Sequence, residues 1–578
     1  MFDDRYNPSI KDLFFPLTTK KAIIWIVVVG LIVYANMLFN GFVWDDKIYI
    51  TLNPGVHSID FIKLIGVNSF NNIGQYRPIP AIYFATLYNF FGELSFFYHL
   101  PQLTLHIINA ILVFYLLRKF FARHISLLLS LIFLIHPIQV ESVSFIAATI
   151  SPLFFIFGIS ALLISTNNKL NTQRIILISF LILASLLTKE TGILFVFMLV
   201  IYRIIFNKTG KFLLISSMIC TLLVYIAIRF GVGGTYFTHL QNIPLNELTL
   251  RGRLLNIPEI IFYYFKTVAY PVYLAHNQLW VITQSTFQNF YFPVLVVSSV
   301  FVFIFLFGLY TYKVTNKLFR VYLFFLFWFL LGLIMHLNIF PLDQTVADRW
   351  FYFPFVGLLG MVGVGLELIV HNRKKLERVT YISLAIVIIL FSVRTIIRNT
   401  NWVDAITLYT HDMKIHNNFD IETNLATEYL LAHRYNEAVL HFNNSIKMFP
   451  YESNLYNLAY TYEQMGNTEM ALRYYHKALN AANLEKNNTP ELSTYEGLSR
   501  LLLITGSYPE ADKIINQGLV HYPNSANLWK YSAIALYQLH KQSQALEAAR
   551  HASLISPSED ISALILQIQN NIPISFIR

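Results

Sequence analysis

The sequence predicts an all-α protein with two parts, a polytopic membrane domain and a C-terminal α-solenoid built from helical repeats. Hydrophobic residues make up 56% of the 578 residues and charged residues only 13%, whereas a soluble protein carries about 25% charged residues. Apolar runs long enough to cross a bilayer recur up to about residue 398, and beyond it the chain is polar and repetitive. The mean hydropathy of +0.52 excludes a soluble cytosolic enzyme and a disordered scaffold.

Hydropathy divides the chain into a basic N-terminal segment (1–21), a membrane domain of about eleven transmembrane helices (22–398) and a polar domain (399–578). The predicted spans lie near 22–39, 95–117, 125–141, 143–165, 174–188, 190–206, 212–230, 288–312, 318–339, 350–370 and 377–397. The first run is long for a signal-peptide core and follows a leader that contains three aspartates. We therefore expect an uncleaved anchor.

Basic residues set the predicted orientation of the spans. They concentrate in the loops that face the cytosol if the N-terminus is cytoplasmic, as the positive-inside rule requires. This distribution accounts for the net charge of +10 and argues against a nucleic-acid partner. An apolar stretch at 255–275, broken by Pro258 and Pro271, is expected to be re-entrant or interfacial. The odd number of spans then places outer loops 40–94 and 231–287, and the C-terminal domain, outside the cytosol.

The C-terminal domain repeats with a period of about 34 residues. Small residues recur where paired helices approach each other, aromatic residues fill the gap, and a proline closes the second helix. Representative positions are Leu425, Ala426, Tyr429, Ala438, Phe442, Leu458, Ala459, Tyr462, Ala471, Tyr475, Leu498, Ala511, Trp529, Ala533 and Ala545. This register predicts tetratricopeptide repeats. Their concave surface offers a site for a peptide or a partner protein, and the alternative is a spacer that shields the membrane domain.

Polar side chains cluster at the predicted outer ends of spans, where charge calls for an explanation. Asp45 and Asp46 follow the first span. Paired carboxylates can act as a general base, because burial and a neighbouring charge raise the pKa of one of them. The alternative is a solvated acidic loop or a helix cap. Arg77 lies later in the same loop, and its planar guanidinium suits phosphate binding. The alternative is an interfacial arginine whose side chain extends to the membrane surface.

Three further clusters occupy outer span ends. They are His136 with Glu141, Lys189 with Glu190, and Asp348 with Arg349 and Tyr352. Each has a structural alternative: a turn for the first, mutual neutralisation for the second, and an interfacial aromatic belt for the third. The metal ligands are unknown, and a divalent cation is an open cofactor, because no ligand spacing is recognisable. Together the clusters suit transfer from an anionic lipid carrier to an acceptor outside the cytosol.

The order of these motifs resembles one membrane family over about residues 22–560. The motifs are Val-Trp-Asp-Asp (43–46), Tyr-Arg-Pro (76–78), His-Pro-x-x-Val-Glu-Ser-Val (136–143), Lys-Glu-x-Gly (189–192), Asp-Arg-x-x-Tyr-x-Pro (348–354) and Arg-Asn-x-x-Trp-x-Asp (398–404). They are similar to those of the transmembrane and tetratricopeptide-repeat proteins of the GT-C glycosyltransferase superfamily, which are related to the protein O-mannosyltransferases.

The resemblance implies a GT-C-like membrane domain whose catalytic aspartate lies in the first outer loop. Asp45 aligns as the base, with Asp46 as its close rival. The resemblance implies donor-phosphate contacts from Arg77, Lys189 and Arg349. It implies acceptor-orienting positions at His136, Glu141, Glu190, Asp348 and Tyr352. Relatives often continue with a charged stretch where this chain has the uncharged residues 147–151, which implies a lost contact, a different donor or an inactive protein.

The leading hypothesis is transfer of a hexose such as mannose from a polyprenyl-phosphate-linked sugar to a hydroxyl of a protein, glycan or lipid acceptor. A protein acceptor would offer Ser or Thr, and the repeats could present it. The alternatives are a non-catalytic membrane-anchored repeat scaffold for envelope or lumenal protein assembly, and a polysaccharide ligase. The predicted location is a bacterial inner membrane with periplasmic repeats, and an endoplasmic-reticulum membrane with lumenal repeats gives the same topology.

Overall fold

The computed structural model describes residues 16–66, 75–233, 248–372, 374–484 and 489–574, apart from the side chains of 371–375 and 483–484. These ranges contain helices and turns without a strand. Most of the predicted N-terminal segment and parts of both outer loops (67–74 and 234–247) lie outside the described residues. The chain forms two compact units that divide between His416 and Asn417.

The first unit is a bundle of helices joined by short turns. Its helices are α1 (Thr19–Tyr34), α2 (Phe61–Gly66), α3 (Pro78–Phe91), α4 (Phe96–Leu117), α5 (Arg123–Ile135), α6 (Val140–Ser144), α7 (Ile150–Ser165), α8 (Thr172–Thr188), α9 (Ile193–Ile205), α10 (Lys211–Gly231), α11 (Leu250–Ala269), α12 (Phe292–Val314), α13 (Asn316–Ile334), α14 (Tyr352–Asn372), α15 (Lys374–Thr400) and α16 (Ala405–Met413). Glycine allows the closest packing: a Cβ at Gly357 in α14 would lie 2.4 Å from the backbone nitrogen of Phe329 in α13.

Eight helical segments of the described chain are long and apolar enough to cross a membrane. They are Thr19–Phe39, Phe96–Leu117, Ile146–Ser165, Lys211–Gly231, Phe287–Val314, Asn316–Ile334, Asp348–Val370 and Leu376–Thr400. The other three predicted spans are also helical. Two of them, α8 and α9, have 17 and 13 residues, at or below the lower limit of about 17 for a span. The chain is therefore an all-α multi-pass membrane protein, as predicted.

The segment predicted as a span at 125–141 is bent rather than straight. Helix α5 and the segment Pro137–Ser144 meet at an angle of 49°. Proline has no backbone N–H and disfavours a helical conformation for the residue before it, and His136 accordingly has an extended backbone (φ −63°, ψ 130°). The Nδ1 of His136 accepts the N–H of Ile138 at 3.2 Å and so begins the next helical turn.

Pro258 was predicted to break the apolar stretch at 255–275, but it lies inside the continuous helix α11. Proline removes one backbone hydrogen bond there, and the helix continues on both sides of it. The helix ends at Ala269, just before Pro271. The Tyr263 hydroxyl donates to Asp348 at 2.7 Å and that of Tyr264 donates to the carbonyl of Ala347 at 3.2 Å. These bonds hold α11 against the start of the span that contains α14.

The first unit extends beyond the boundary at 398 that hydropathy indicates. Helix α16 is polar, yet it belongs to this unit. The side chain of Asp404 accepts the N–H of Thr407 at 2.8 Å and caps the start of the helix. Near its end, Asp412 is fully buried among basic side chains of the membrane domain. Ion pairing, which hydropathy does not report, therefore sets this boundary.

The second unit is the predicted solenoid. Its helices are α17 (Phe419–Leu431), α18 (Tyr435–Met448), α19 (Glu452–Gln464), α20 (Thr468–Leu484), α21 (Leu492–Ile504), α22 (Tyr508–His521), α23 (Ala526–Gln538), α24 (Gln542–Ile555) and α25 (Glu559–Gln569). The small and aromatic residues of the predicted register, such as Ala459, Ala471 and Tyr475, form its buried core. The carboxylate of Glu463 accepts hydrogen bonds from Arg500 and from the Tyr475 hydroxyl, so it links adjacent repeats.

Candidate active site

The two adjacent carboxylates after the first span have different surroundings. Between them and the span, Trp44 has a left-handed backbone (φ 47°), a conformation that non-glycine residues adopt rarely. Beyond this turn, Asp46 is fully buried: one oxygen accepts the N–H of Val43 at 3.0 Å and the other that of Ala147 at 2.6 Å. Asp45 is only half-buried and lines a cavity. The turn at Trp44 thus separates the pair.

Burial also makes Asp46 a poor base for an external substrate. It raises the pKa of Asp46 to about 8, although the N–H groups of Val43 and Ala147 favour the charged form. A carboxyl whose two oxygens are closed off by backbone N–H groups cannot reach the proton of a substrate hydroxyl. Asp46 therefore holds the loop to the start of the span at 146–165, and Asp45 is the carboxylate that a substrate can reach.

The cavity next to Asp45 has a volume of about 320 Å³. Its walls come from segments far apart in sequence: the first outer loop, the stretch 147–151, the turn between α8 and α9, and the loop before α14. Of the predicted site residues it brings together Asp45, Arg77, Lys189, Glu190 and Arg349. The uncharged stretch 147–151 contributes Ala147, Ala148, Ile150 and Ser151, so this wall is mostly apolar.

Glu190 is shared by two arginines. One of its oxygens accepts from Nη2 and Nε of Arg77 at 2.8 and 3.1 Å, and the other accepts from Arg229 at 3.1 Å. Burial would raise the pKa of Glu190, but Arg77 and then Arg229 outweigh it and lower the pKa to about 2. Glu190 is thus an ionised anchor for both guanidinium groups. The sequence did not single out Arg229, which lies at the end of α10.

Arg349 is likewise held by a carboxylate. Its backbone N–H donates to Glu141 at 2.9 Å and its guanidinium donates to the other oxygen of the same residue. Asp343 lies 3.6 Å away on the same guanidinium, which also sits 5.5 Å from the centre of the Trp44 ring. Carboxylates and an aromatic face therefore occupy much of this cation.

Lys189 is the cavity cation that lacks a carboxylate partner within the described chain. Its ammonium group lies 5.6 Å from the centre of the Phe154 ring and forms no ion pair or side-chain hydrogen bond in the part that the structure describes. Burial, and then Arg77 and Arg349, lower the pKa of Lys189 to about 7. An anion in the cavity would supply the missing partner and restore full protonation.

The other predicted site residues do not line the main cavity. His136 donates to the Val268 carbonyl at 3.0 Å. The hydroxyl of Tyr352 contacts His106 at 2.9 Å and Asn109 at 3.0 Å. Glu141 and Asp348 bond Arg349 and Tyr263, as given above. His136, Glu141 and Asp348 support the walls of the cavity, and Tyr352 lines a small space next to it.

A buried network next to Trp44 contains one residue of the sequence motifs, Arg398. Asp412 accepts from the backbone N–H of His276 at 2.7 Å, from its Nδ1 at 2.6 Å, and from Arg398 at 3.3 Å. Burial raises the pKa of Asp412, but these groups and His411 outweigh it and hold the pKa well below its usual range. The His276 ring packs edge-on against Trp44 at 4.7 Å. The network therefore helps to hold the Trp44 ring in place.

Metal coordination gains no support from the described residues. No three His, Cys, Asp or Glu side chains in those ranges lie together in an arrangement that could hold a metal ion. The carboxylates at the cavity mostly pair with arginines, which leaves a cationic and aromatic environment around Asp45. Such an environment suits an anionic substrate.

Known proteins match both units. Residues 451–519 match the family model described as "Tetratricopeptide repeat". Among solved structures, "YrrB: a TPR protein with an unusual peptide-binding site" is 18% identical, with a TM-score of 0.25, over 35% of this chain and 96% of that one.

Curated relatives match most of the chain. "Protein O-mannosyl-transferase TMTC3" of Mus musculus is 24% identical over 601 residues, and that of Homo sapiens is 24% identical over 584 residues. Each match covers 91% of this chain and 63% of the relative, so the chain spans less than two thirds of their length. "Protein O-mannosyl-transferase Tmtc1" of Drosophila melanogaster is 28% identical over 28% of this chain and 20% of that protein. These relatives confirm the resemblance that the ordered motifs predict, to the transmembrane and tetratricopeptide-repeat proteins named O-mannosyl-transferases.

Proposed function

We propose that the chain is a membrane glycosyltransferase that moves a hexose such as mannose from a polyprenyl-phosphate donor to a hydroxyl acceptor. One observation carries the proposal: Asp45 lines the same cavity as the ammonium group of Lys189, which has no carboxylate partner in the described chain. A base and an anion site in one cavity are what transfer from a lipid phosphate requires. The names of the relatives, protein O-mannosyl-transferases, support a protein acceptor, through Ser or Thr.

Asp45 is the proposed base. It takes the proton from the acceptor hydroxyl while the acceptor oxygen forms a bond to the anomeric carbon of the sugar. The bond from that carbon to the phosphate oxygen breaks, and the lipid phosphate leaves with the electron pair. Lys189 stabilises the negative charge that grows on the departing oxygen. Displacement in one step inverts the configuration of the anomeric carbon.

Arg77 and Arg349 have a supporting role in this proposal. Both were predicted to contact the donor phosphate, and both line the cavity, but each gives part of its guanidinium to a carboxylate. They hold the walls and add positive potential around Lys189, which is the main phosphate contact. Glu190, predicted as an acceptor-side residue, instead keeps Arg77 in place.

The reaction is placed on the non-cytosolic face, because the cavity is built from outer loops in the predicted topology. We place the protein in a bacterial inner membrane with periplasmic repeats, and a lumenal face of the endoplasmic reticulum is the other setting with this topology. The repeat unit is proposed to hold the acceptor protein.

The test is sugar transfer from a labelled polyprenyl-phosphate sugar in membranes that contain the full chain. Removal of a general base costs about 10²–10⁴-fold, so Asp45→Asn should lower the rate by at least about a hundredfold at normal expression. Asp404→Asn is the matched control, since Asp404 caps α16 away from the cavity. A wild-type rate in Asp45→Asn would overturn the proposed base. No transfer by the wild type from any common donor would favour a non-catalytic scaffold.

A further inference from the structure

A narrow extension leads off the main cavity beside Lys189. Its volume is about 10 Å³, about the room that one water molecule or one ligand oxygen occupies. Lys189, Thr191, His336, Arg349 and Trp350 line both the cavity and this extension, and Phe154 and Tyr352 also line the extension. Glu141 already holds the guanidinium of Arg349, and His106 and Asn109 contact the hydroxyl of Tyr352. Lys189, Thr191 and His336 are therefore the polar side chains most available to a ligand in this small space.

Thr191 contributes a hydroxyl that is shut off from bulk solvent. It has no hydrogen-bond partner in the described part of the chain. Thr191 lies in the tight turn Glu190–Gly192, where a Cβ at Gly192 would come within 2.7 Å of the Ser185 carbonyl carbon. The turn is thus packed closely against α8. A buried hydroxyl without a partner is rare in native proteins, and it indicates a place where a bound group completes the hydrogen bonding.

His336 contributes an acceptor. Its Nδ1 lies 2.9 Å from the Gly332 carbonyl, and a carbonyl can only accept, so the proton is on Nδ1. Burial, and then Lys189, lower the pKa of His336 to about 3. The ring is therefore neutral, and its Nε2 keeps a lone pair. The ring stacks on Trp350 with centres 5.2 Å apart, which fixes its orientation.

We propose that these three side chains bind the glycosyl-phosphate head of the donor. The proposal rests on the proposed function and adds two residues to it. Lys189 and the Thr191 hydroxyl donate to oxygens of the phosphate, and Nε2 of His336 accepts a hydrogen bond from a sugar hydroxyl. An anion alone satisfies only the two donors. A phosphate that carries a sugar satisfies all three groups, so the site distinguishes the loaded donor from the spent lipid phosphate.

Binding to the purified full chain tests this directly, with four probes: inorganic phosphate, citronellol, citronellyl phosphate and the mannosyl ester of citronellyl phosphate. We expect the mannosyl ester to bind more tightly than citronellyl phosphate, and citronellol and inorganic phosphate to bind most weakly. Equal affinity for inorganic phosphate and citronellyl phosphate would overturn the assignment to a lipid donor.

Two substitutions separate the phosphate contact from the sugar contact. Thr191→Val keeps the shape of the side chain but removes its hydroxyl. It should lower the affinity for citronellyl phosphate and for its mannosyl ester about tenfold, the effect of one lost hydrogen bond to a charged group. Thr191→Ser keeps the hydroxyl and should bind both with the affinity of the wild type. His336→Phe keeps the stacking on Trp350 and should weaken the mannosyl ester alone. Wild-type affinity in Thr191→Val, or equal losses for both lipids in His336→Phe, would overturn the corresponding contact.

The matched control is Thr188→Val, three residues before Thr191. Its hydroxyl donates to the Ala184 carbonyl at 2.8 Å and does not line the cavity, so its affinities should equal those of the wild type. Affinity lost in this control would show that the Thr191 effect is structural. The binding assay also separates the two proposals. If the wild type binds the donor but transfers no sugar, the proposed function is contradicted and the proposed subsite is retained. If Thr191→Val transfers sugar with an unchanged donor KM, the proposed subsite is contradicted and the proposed function is retained.

Discussion

Asp45 and Asp46 show how two identical neighbours acquire different chemistry. The sequence predicted the pair and its place after the first span, and the family resemblance implied Asp45 as the base with Asp46 as its close rival, but the residues alone do not show which carboxylate faces the cavity. The left-handed backbone of Trp44 decides that, and no local pattern encodes a positive φ for a tryptophan. Buried backbone N–H groups then hold Asp46. The motif order predicted that Lys189 belongs to the site, but its lack of a carboxylate partner depends on contacts that only the fold creates.

At Asp46 we predict a loss of stability rather than of chemistry. Asp46→Asn retains one acceptor oxygen but turns an amide N–H₂ toward a backbone N–H, which should destabilise the fold by about 1–3 kcal/mol. Thermal unfolding of the purified protein should show a lower Tm, while transfer per folded molecule stays within about tenfold of the wild type. Asp45→Asn should show the opposite pattern. A normal Tm with abolished transfer in Asp46→Asn would make it the base.

At Lys189 we predict a pH-dependent donor affinity. The pKa of about 7 means that the ammonium is charged below this pH and loses its charge above it. Donor KM should therefore rise as the pH increases through 7, and the bound phosphate will move the transition upward because it favours the charged form.

Lys189→Arg provides the comparison for this pH dependence. The arginine stays charged over the accessible range, so the donor KM of the variant should be flat between about pH 6 and 9. Identical pH profiles in the wild type and the variant would assign the titration to another group.

Among the elements, α16 depends most on a single buried charge. Asp412 ties this polar helix to His276 in the second outer loop and to Arg398 at the end of α15. His276 in turn packs against Trp44, next to the proposed base. Hydropathy assigned the residues of α16 to the repeat domain because polarity alone does not reveal an ion pair. The bend at His136 had a local signal in Pro137, and a turn there was one of the predicted alternatives.

We predict that Asp412→Ala destabilises the first unit and slows transfer. The substitution leaves two buried basic groups without their carboxylate, a change that costs about 3–5 kcal/mol. The matched control on the same helix is Asp404→Ala, which removes an exposed cap worth about 1 kcal/mol. Thermal unfolding should give a clearly larger decrease in Tm for Asp412→Ala. Equal decreases would show that the network contributes little.

On the scale of the whole molecule, the spans and repeats were predictable because their signals are local. An apolar run or a period of about 34 residues is visible without knowledge of the fold. The cavity was only partly predictable, since its walls come from four distant segments. Arg229, His336 and Asp412 were missed because each acts through neighbours that lie far away in the sequence. Thr191 was not singled out because it occupies the open position of the motif Lys-Glu-x-Gly.

The predicted topology can be tested with single cysteines. In a Cys220→Ser background, Glu93→Cys lies at an exposed position in the first outer loop, and Lys169→Cys lies at an exposed position between α7 and α8. A membrane-impermeant maleimide on intact cells or sealed vesicles of known orientation should label the first and spare the second. Labelling of the second alone would invert the topology and place the cavity on the cytosolic side.

The position of the cavity residues has an electrical consequence. Asp45, Lys189 and Glu190 lie in turns between the spanning helices, not at the middle of one. A charge that crosses the whole membrane gains or loses about 2.3 kcal/mol per 100 mV, but a proton that passes from an acceptor to Asp45 travels only a short way through that field. The rate of transfer should therefore not depend on the membrane potential. It should be the same in energised vesicles and in vesicles whose membrane potential an ionophore has dissipated. A rate that follows the membrane voltage would place the chemistry deep inside the bilayer.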